Sequence, residues 1–404
     1  MSRSPLSSII TGLILAMVAS LLWYPPQPAL RPSDPISLPT EGVPAAEPNR
    51  NDRAMLAESP GPALTDSDRS PDSAPLAPKS PVGQAAVPVD PHLTMGAETC
   101  VKCHAGEVRV WQATPHYRTF EEMHRRPEAR KIAAKLGLRS IKHEGRCVKC
   151  HYTTQVTATD NGQSGHGFGN DAVSAIAGVS CESCHGSARH WLDVHHDYGG
   201  EFVTRETETA EHRRQRLAES IRLGMRNPVN VYLVAQSCLR CHTTADEELV
   251  NVGGHSAGSL DFEFVSWSQG SIRHNFVRSG GKQNDVSPLP RLRLMFVAGM
   301  IAELEAGLRA TAVATEKATY GITVAQRTAR AAKRLQSVSQ KVDSSIVDQI
   351  LSVVSGVQLK LNNLDALVKA ADEIALLGVR FAAETDGATL APLDGFIPPP
   401  DRWK

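Results

Sequence analysis

Four copies of one pentapeptide, Cys-x-x-Cys-His, constrain this chain more than any other feature of its sequence. They use all of its cysteines, which are Cys100, Cys103, Cys147, Cys150, Cys181, Cys184, Cys238 and Cys241. The histidines that close the four motifs are His104, His151, His185 and His242. Two thiols on one helical turn can add to the vinyl groups of one porphyrin, and the next imidazole then reaches its iron. The pattern predicts four covalently attached c-type haems.

Zinc sites and redox-active disulfides also use Cys-x-x-Cys pairs. A zinc site does not require a histidine directly after the second cysteine, whereas all four motifs have one. A thioredoxin-like site is single and follows a strand, and a disulfide framework does not repeat one invariant spacing. The haem interpretation is therefore favoured.

The histidines are confined to the same stretch as the cysteines. All 15 lie between His92 and His274. Four are proximal ligands, and the others supply candidates for the sixth position on iron. Methionine is the other common distal ligand and raises the reduction potential, but only Met95, Met123 and Met225 lie in this stretch. Mostly bis-histidine ligation and low potentials are expected.

The overall composition excludes a strong electrostatic pull toward nucleic acid, because 43 Lys and Arg balance 43 Asp and Glu.

At the N-terminus, Arg3 precedes an apolar run over residues 6–23. Residues 1–23 are interpreted as a signal anchor, or alternatively as a cleaved signal peptide. Since haem is attached to this motif outside the cytoplasm, we expect the protein on the periplasmic side of the cytoplasmic membrane. An anchored segment makes the membrane a partner.

The remaining chain divides by composition. Residues 24–91, rich in Pro, Ala and Ser, predict a disordered tether. Residues 92–285 predict a mainly α tetrahaem cytochrome domain with few strands and long loops. Its longer helices are expected near residues 120–136, with a break at Pro127, and near residues 206–223.

Helical periodicity returns in residues 286–388, where Leu294, Val297 and Ile301 begin an apolar stripe. An α-helical hairpin, bundle or coiled coil is predicted, and it offers a surface for homo-oligomerisation. Arg327, Arg330 and Arg334 are interpreted as a solvated face, with a docking site as the alternative. Residues 389–404 are expected to be an irregular tail.

Several local features resemble the tetrahaem cytochrome c-554 family of periplasmic electron carriers. Gly96-Ala97-Glu98-Thr99 leads into the first motif, and Trp111 with His116 follows it as Trp-x-x-x-x-His. The third motif lies in Gly178-Val-Ser-Cys-Glu-Ser-Cys-His-Gly186. His195 follows ten positions after His185. The resemblance covers the haem region, and neither the tether nor the C-terminal helices belong to the pattern.

The resemblance implies part of a ligand set. It assigns His195 to the haem on His104, and His116 to the haem on His242. His274 is the counterpart of a third distal ligand, and His255 is a candidate without a family position. In the family the haem of the second motif lacks a distal side chain. The haem on His151 is therefore either open or bound by His255. His143, His166 and His196 are competing candidates for the same position.

Closely packed haems favour electron hopping through a chain of cofactors. The predicted function is therefore electron transfer between redox partner proteins, more as a carrier than as an enzyme. The alternative is an oxidoreductase acting on small nitrogen or oxygen species at an open, five-coordinate haem on His151. A redox or gas sensor that signals through the C-terminal helices ranks last.

Overall fold

The computed structural model of this chain describes residues 89–157 and 172–404. In these ranges the fold is helical, with a single two-stranded sheet. This confirms the predicted mainly α class with few strands. The described residues belong to one compact unit, and the other unit, residues 1–77, lies outside the described ranges.

Three predictions fall on residues that the structure does not describe. They concern the N-terminal segment over residues 1–23, the tether up to residue 88, and His166, one of the competing ligands for the haem on His151. Within residues 89–157 and 172–404, no helix is both long and apolar enough to cross a membrane.

Five short helices form the region that contains the first two haem motifs. They are α1 (Ala97–Val101), α2 (Ala105–Gln112), α3 (Pro115–Glu122), α4 (Pro127–Lys135) and α5 (Gly145–His151). Thr114 caps α3, because its side chain accepts from the Tyr117 amide at 3.3 Å and Pro115 occupies the first turn. Pro127 begins α4 after an extended Arg126, which is the predicted interruption.

A β-hairpin connects the second motif to the third. Strand β1 (Thr153–Thr157) pairs antiparallel with β2 (Ala172–Ala177), and Val156 lies opposite Val173. The buried Thr153 hydroxyl lies 2.9 Å from both the Ser180 and the Ser183 hydroxyls. These bonds fix the start of β1 against helix α6 (Cys181–His185), which carries the third motif.

The fourth motif is the last turn of a longer helix. Helix α7 (Ala210–Arg222) precedes it, as predicted near residues 206–223, and α8 (Val231–His242) carries the motif. The Asn230 side chain caps α8 by accepting from the Leu233 amide. Two short helices follow, α9 (Glu247–Asn251) and α10 (Phe264–Gln269).

Four helices make up the C-terminal region: α11 (Leu289–Ala312), α12 (Thr319–Ser339), α13 (Ser345–Ser355) and α14 (Leu364–Glu384). Helix α11 is central and packs against α8, α10, α12 and α14. The predicted apolar stripe is buried, since Val297 and Ile301 are fully covered. Leu239 of α8 belongs to the same hydrophobic cluster, so the fourth haem motif and the C-terminal helices share one core.

Close packing between α8 and α14 depends on a glycine. A Cβ at Gly378 would lie 2.4 Å from a ring carbon of the fully buried Tyr232.

The stretch expected to be an irregular tail contains the 3-10 helices Gly387–Phe396 and Pro400–Arg402. The first of these packs on α11, where Leu390 and Leu393 are buried.

Candidate haem sites

Each motif histidine faces a second imidazole across a similar gap. The ring centres are 6.4 Å apart for His104–His195, 6.2 Å for His116–His242, 6.2 Å for His151–His255 and 6.1 Å for His185–His274. Two metal–nitrogen bonds of about 2 Å, with the offset of each nitrogen from its ring centre, require a separation of roughly 6 Å. Every pair is therefore spaced to hold one metal ion between two axial nitrogens.

The other ring nitrogen of most of these histidines is engaged by the protein. In six of them Nδ1 contacts a neighbouring oxygen. The pairs are His104 with Glu107, His195 with Leu192 O, His185 with Arg226 O, His242 with Ser259 Oγ, His255 with Ser256 O and His274 with Ile272 O. Metal-bound histidines commonly use their second nitrogen in this way, which fixes the ring orientation. In these six residues Nε2 is left as the nitrogen for iron.

Burial favours the neutral form of five of the paired imidazoles. Burial, with a smaller contribution from the facing histidine, lowers the pKa values of His151, His185 and His242 to about 4. Burial also lowers the pKa values of His116 and His195. A metal ligand must be the deprotonated imidazole, so these environments favour the binding form.

Buried N–H groups beside the imidazoles provide a test of whether haem fits. Trp191 Nε1, Trp267 Nε1, Arg273 Nε and Arg327 Nη2 are buried and have no hydrogen-bond partner within the described part of the protein. The Trp191 ring packs 5.2 Å from His195, and the Trp267 ring 5.0 Å from His242. Such donors need acceptors, and the carboxylates of a haem are acceptors. The residues present therefore fit this group.

His116 is held by the segment that leads into the third motif. The Trp111 indole donates to the Val179 carbonyl at 2.8 Å, and the Val179 amide donates to the His116 carbonyl at 3.1 Å. A Cβ at Gly178 would lie 2.4 Å from that same His116 oxygen. The Trp-x-x-x-x-His segment and the Gly-Val segment of the sequence therefore contact each other in the fold.

His195 is held by a buried ion pair. Arg216 donates from Nη1 to the His195 carbonyl and binds both oxygens of Glu208, with Nε at 2.7 Å and Nη2 at 2.6 Å. Hydrogen bonds from Arg216, and then from His212, lower the pKa of Glu208 to about 2. The carboxylate stays ionised at neutral pH and orients the arginine.

His255 and His274 lie on loops after the fourth motif. The His255 amide donates to the Leu249 carbonyl at 3.1 Å, so this loop turns back onto α9. Near His274, the Ser271 amide donates to the Lys404 carbonyl at 2.7 Å. Of the competitors named from sequence, His143 is exposed and contacts Ser140 at 2.8 Å, His196 is exposed beside His195, and His166 lies outside the described residues.

The four motif helices contact one another in a fixed order. Helix α1 packs on α6, α6 packs on α8, and α5 packs on α8. The Cys100 thiol lies beside the Cys181 thiol, and the Cys150 thiol lies beside the Cys241 thiol. Motifs one, three, four and two therefore follow one another in space.

Sequence reasoning missed the contacts of three arginines with the paired histidines. Arg226 offers its carbonyl to His185, Arg216 donates to the His195 carbonyl, and Arg327 donates to the His242 carbonyl at 2.8 Å. A signal existed only for Arg327, which lies three residues after Val324 and four before Ala331 on the buried stripe of α12.

Motifs for covalent haem attachment, each with an imidazole pair spaced for one metal, are typical of c-type cytochromes, a class that transfers electrons. Residues 99–186 match the family described as cytochrome c554 and c-prime. Cytochrome c-554 of Nitrosomonas europaea is 30% identical over 111 residues, which cover 26% of this chain and 44% of that protein. The matches confirm the predicted resemblance to the cytochrome c-554 family over this part of the chain. No solved structure gives a significant match.

Proposed function

We propose that this chain is an exported tetrahaem cytochrome that passes electrons between redox partner proteins through four bis-histidine haems. The observation that carries the proposal is the set of four imidazole pairs with ring centres 6.1–6.4 Å apart. One member of each pair follows a Cys-x-x-Cys sequence, so attachment and axial ligation converge on the same four positions.

Haem, when bound, supplies the one-electron chemistry. The chain's own residues hold neutral imidazoles at set positions and pack the attachment helices against one another. The contact order of motifs one, three, four and two supports a linear route with motifs one and two at its ends. Bis-histidine ligation supports potentials on the low side, because methionine ligands are what raise them.

The alternative, an oxidoreductase at an open iron, requires a missing distal ligand on the haem of His151. His255 lies opposite that histidine at the same separation as in the other three pairs. This supports the carrier over the enzyme and marks a difference from the family pattern.

Export follows from the chemistry of attachment, which takes place outside the cytoplasm. The apolar run over residues 6–23 is its proposed signal. Mass spectrometry of the mature N-terminus tests this: an intact or cleaved segment in a haem-loaded protein from the cell envelope supports export. Haem-loaded protein confined to the cytoplasm contradicts it.

A basic surface suits a redox partner of opposite charge. Residues 123–143 contain seven Lys and Arg but one Glu, in a chain that is neutral overall. Arg130, Lys131, Lys135 and Arg139 are exposed, and none forms an ion pair with another described residue. Ala133 and Ile141 pack against Cys147, so this surface covers the second motif, one end of the proposed route. We expect an acidic redox protein to dock here.

Haem content tests the proposal directly. The pyridine haemochrome assay combined with intact mass should give four haems per chain, fully reducible by dithionite and reoxidised by a soluble electron acceptor. Replacing Cys147 and Cys150 by Ser should remove one haem and leave three. A wild-type protein with fewer than four covalent haems contradicts the proposal.

A further inference from the structure

A fully buried arginine from the C-terminal helices reaches the fourth haem motif. Arg327 of α12 has no exposed side-chain surface, and its Nη1 donates to the His242 carbonyl at 2.8 Å. This differs from the solvated face expected from sequence. The close approach needs Gly258, where a Cβ would lie 2.9 Å from Arg327 Nη1 and 2.4 Å from the His242 oxygen.

The charge of Arg327 is balanced by one carboxylate on α11. Arg327 Nε lies 3.2 Å from Glu303 Oε1, and Arg334 Nη1 lies 2.9 Å from Glu303 Oε2. Glu303 is nearly covered, whereas about a third of the Arg334 side chain is exposed. Water therefore screens Arg334 far more than Arg327. Further out, Asp261 is paired with Lys404.

Neither Arg327 nor Glu303 lies in residues 99–186, the part matched by the cytochrome family. The C-terminal helices therefore bring to the fourth motif a charge pair that the matched region does not contain. Burying such a pair is costly and adds little net stability, so its placement against a motif histidine calls for another explanation.

We propose that the Arg327–Glu303 pair sets the reduction potential of the haem on His242. Reduction adds one electron at this site and makes or breaks no bond, so the charge there falls by one unit. The Arg327 guanidinium favours the reduced form, and Glu303 favours the oxidised form. The C-terminal helices thus tune one haem electrostatically as well as completing the core. The inference rests on the proposed function, because it requires haem at this motif.

Two substitutions should move the potential in opposite directions. Arg327→Gln removes the positive charge and should lower the potential of one haem, whereas Glu303→Gln should raise it. A unit charge acting over roughly 10 Å at an effective dielectric constant of about 20 would change the redox equilibrium on the order of tenfold, equivalent to about 59 mV. Redox titration followed by electron paramagnetic resonance resolves the individual low-spin irons.

Arg330→Gln is the matched control. It removes the same charge from the same helix, but Arg330 is exposed, so the four potentials should stay unchanged. Arg327→Lys keeps the charge and should restore most of the potential that Arg327→Gln loses. If Arg327→Gln does not accumulate, Glu303→Gln and Arg327→Lys decide the matter.

The inference is overturned if both charge-removing variants move the potential in the same direction, or leave all four potentials as in Arg330→Gln. A purely structural role of the pair predicts one of those results, because a structural disturbance does not depend on the sign of the charge that is removed. Failure of the proposed function looks different: fewer than four haems, or a high-spin iron in the wild-type protein. Four low-spin haems with unmoved potentials reject only the inference about Arg327 and Glu303.

Discussion

The His255 imidazole lies opposite the His151 imidazole, with ring centres 6.2 Å apart. This spacing matches that of the other three pairs and supports His255 as the sixth ligand of the haem proposed on His151, which the family pattern leaves open. Burial lowers the pKa of His151 to about 4, with a further contribution from His255, so the ring is neutral and able to bind metal. This pair separates an electron carrier from an enzyme with an open iron.

Removing His255 should create the open site. In His255→Ala, one of the four haems is expected to become high-spin and to bind added nitric oxide, while the other three stay low-spin. His143→Ala is the control, because His143 is exposed and its Nδ1 contacts the Ser140 hydroxyl rather than another imidazole. Electron paramagnetic resonance measures both variants. An unchanged spectrum for His255→Ala would remove His255 from the ligand set.

Gly178→Ala should displace His116 from the fourth haem. The added Cβ would lie 2.4 Å from the His116 carbonyl oxygen and 2.7 Å from the Tyr117 carbonyl oxygen, so the backbone of this segment would have to shift. A loss of about 1–3 kcal/mol in the free energy of unfolding is expected, with a changed low-spin signal for one haem. Gly395→Ala meets open space and should change stability by less than about 0.5 kcal/mol. Equal effects in chemical denaturation would contradict the proposed contact.

The Glu208–Arg216 pair should make stability depend on acidity. The folded-state pKa of Glu208 is lowered to about 2 by Arg216 and His212, below its ordinary value of 4.5. The stabilisation is therefore complete above about pH 5 and disappears as the pH falls through about 2. Glu208→Gln should cost about 1–3 kcal/mol at pH 7, and its deficit against wild type should shrink in acid. A deficit that is constant from neutral to strongly acidic pH would exclude this role.

Charge reversal on the basic surface should slow transfer to an acidic partner. Lys131→Glu combined with Lys135→Glu is expected to reduce the bimolecular rate with an acidic redox protein about tenfold at low salt, and to weaken its dependence on ionic strength. Lys333→Glu with Lys369→Glu changes the net charge equally on exposed sites of the C-terminal helices. Stopped-flow mixing measures both. Equal slowing by the two double variants would place docking elsewhere.

The sequence allowed the attachment cysteines, proximal histidines and mainly α class to be predicted because these depend on local spacing and periodicity. His116 and His195 were assigned through the resemblance, which preserves their distance from the motifs. The partners of His255 and His274 depend on how loops fold back across the chain, and local spacing does not encode that. The run of arginines on one helix face indicates a solvated surface, whereas the burial of Arg327 depends on Glu303 of a different helix, which local spacing does not reveal.

The spin state of the oxidised wild-type protein tests the central claim most directly. Four bis-histidine irons predict low-spin electron paramagnetic resonance signals that integrate to four per chain and do not change when nitric oxide is added to the ferric protein. A high-spin component that shifts with nitric oxide would contradict the account, because it would show that the haem on His151 or another of the four lacks its distal histidine.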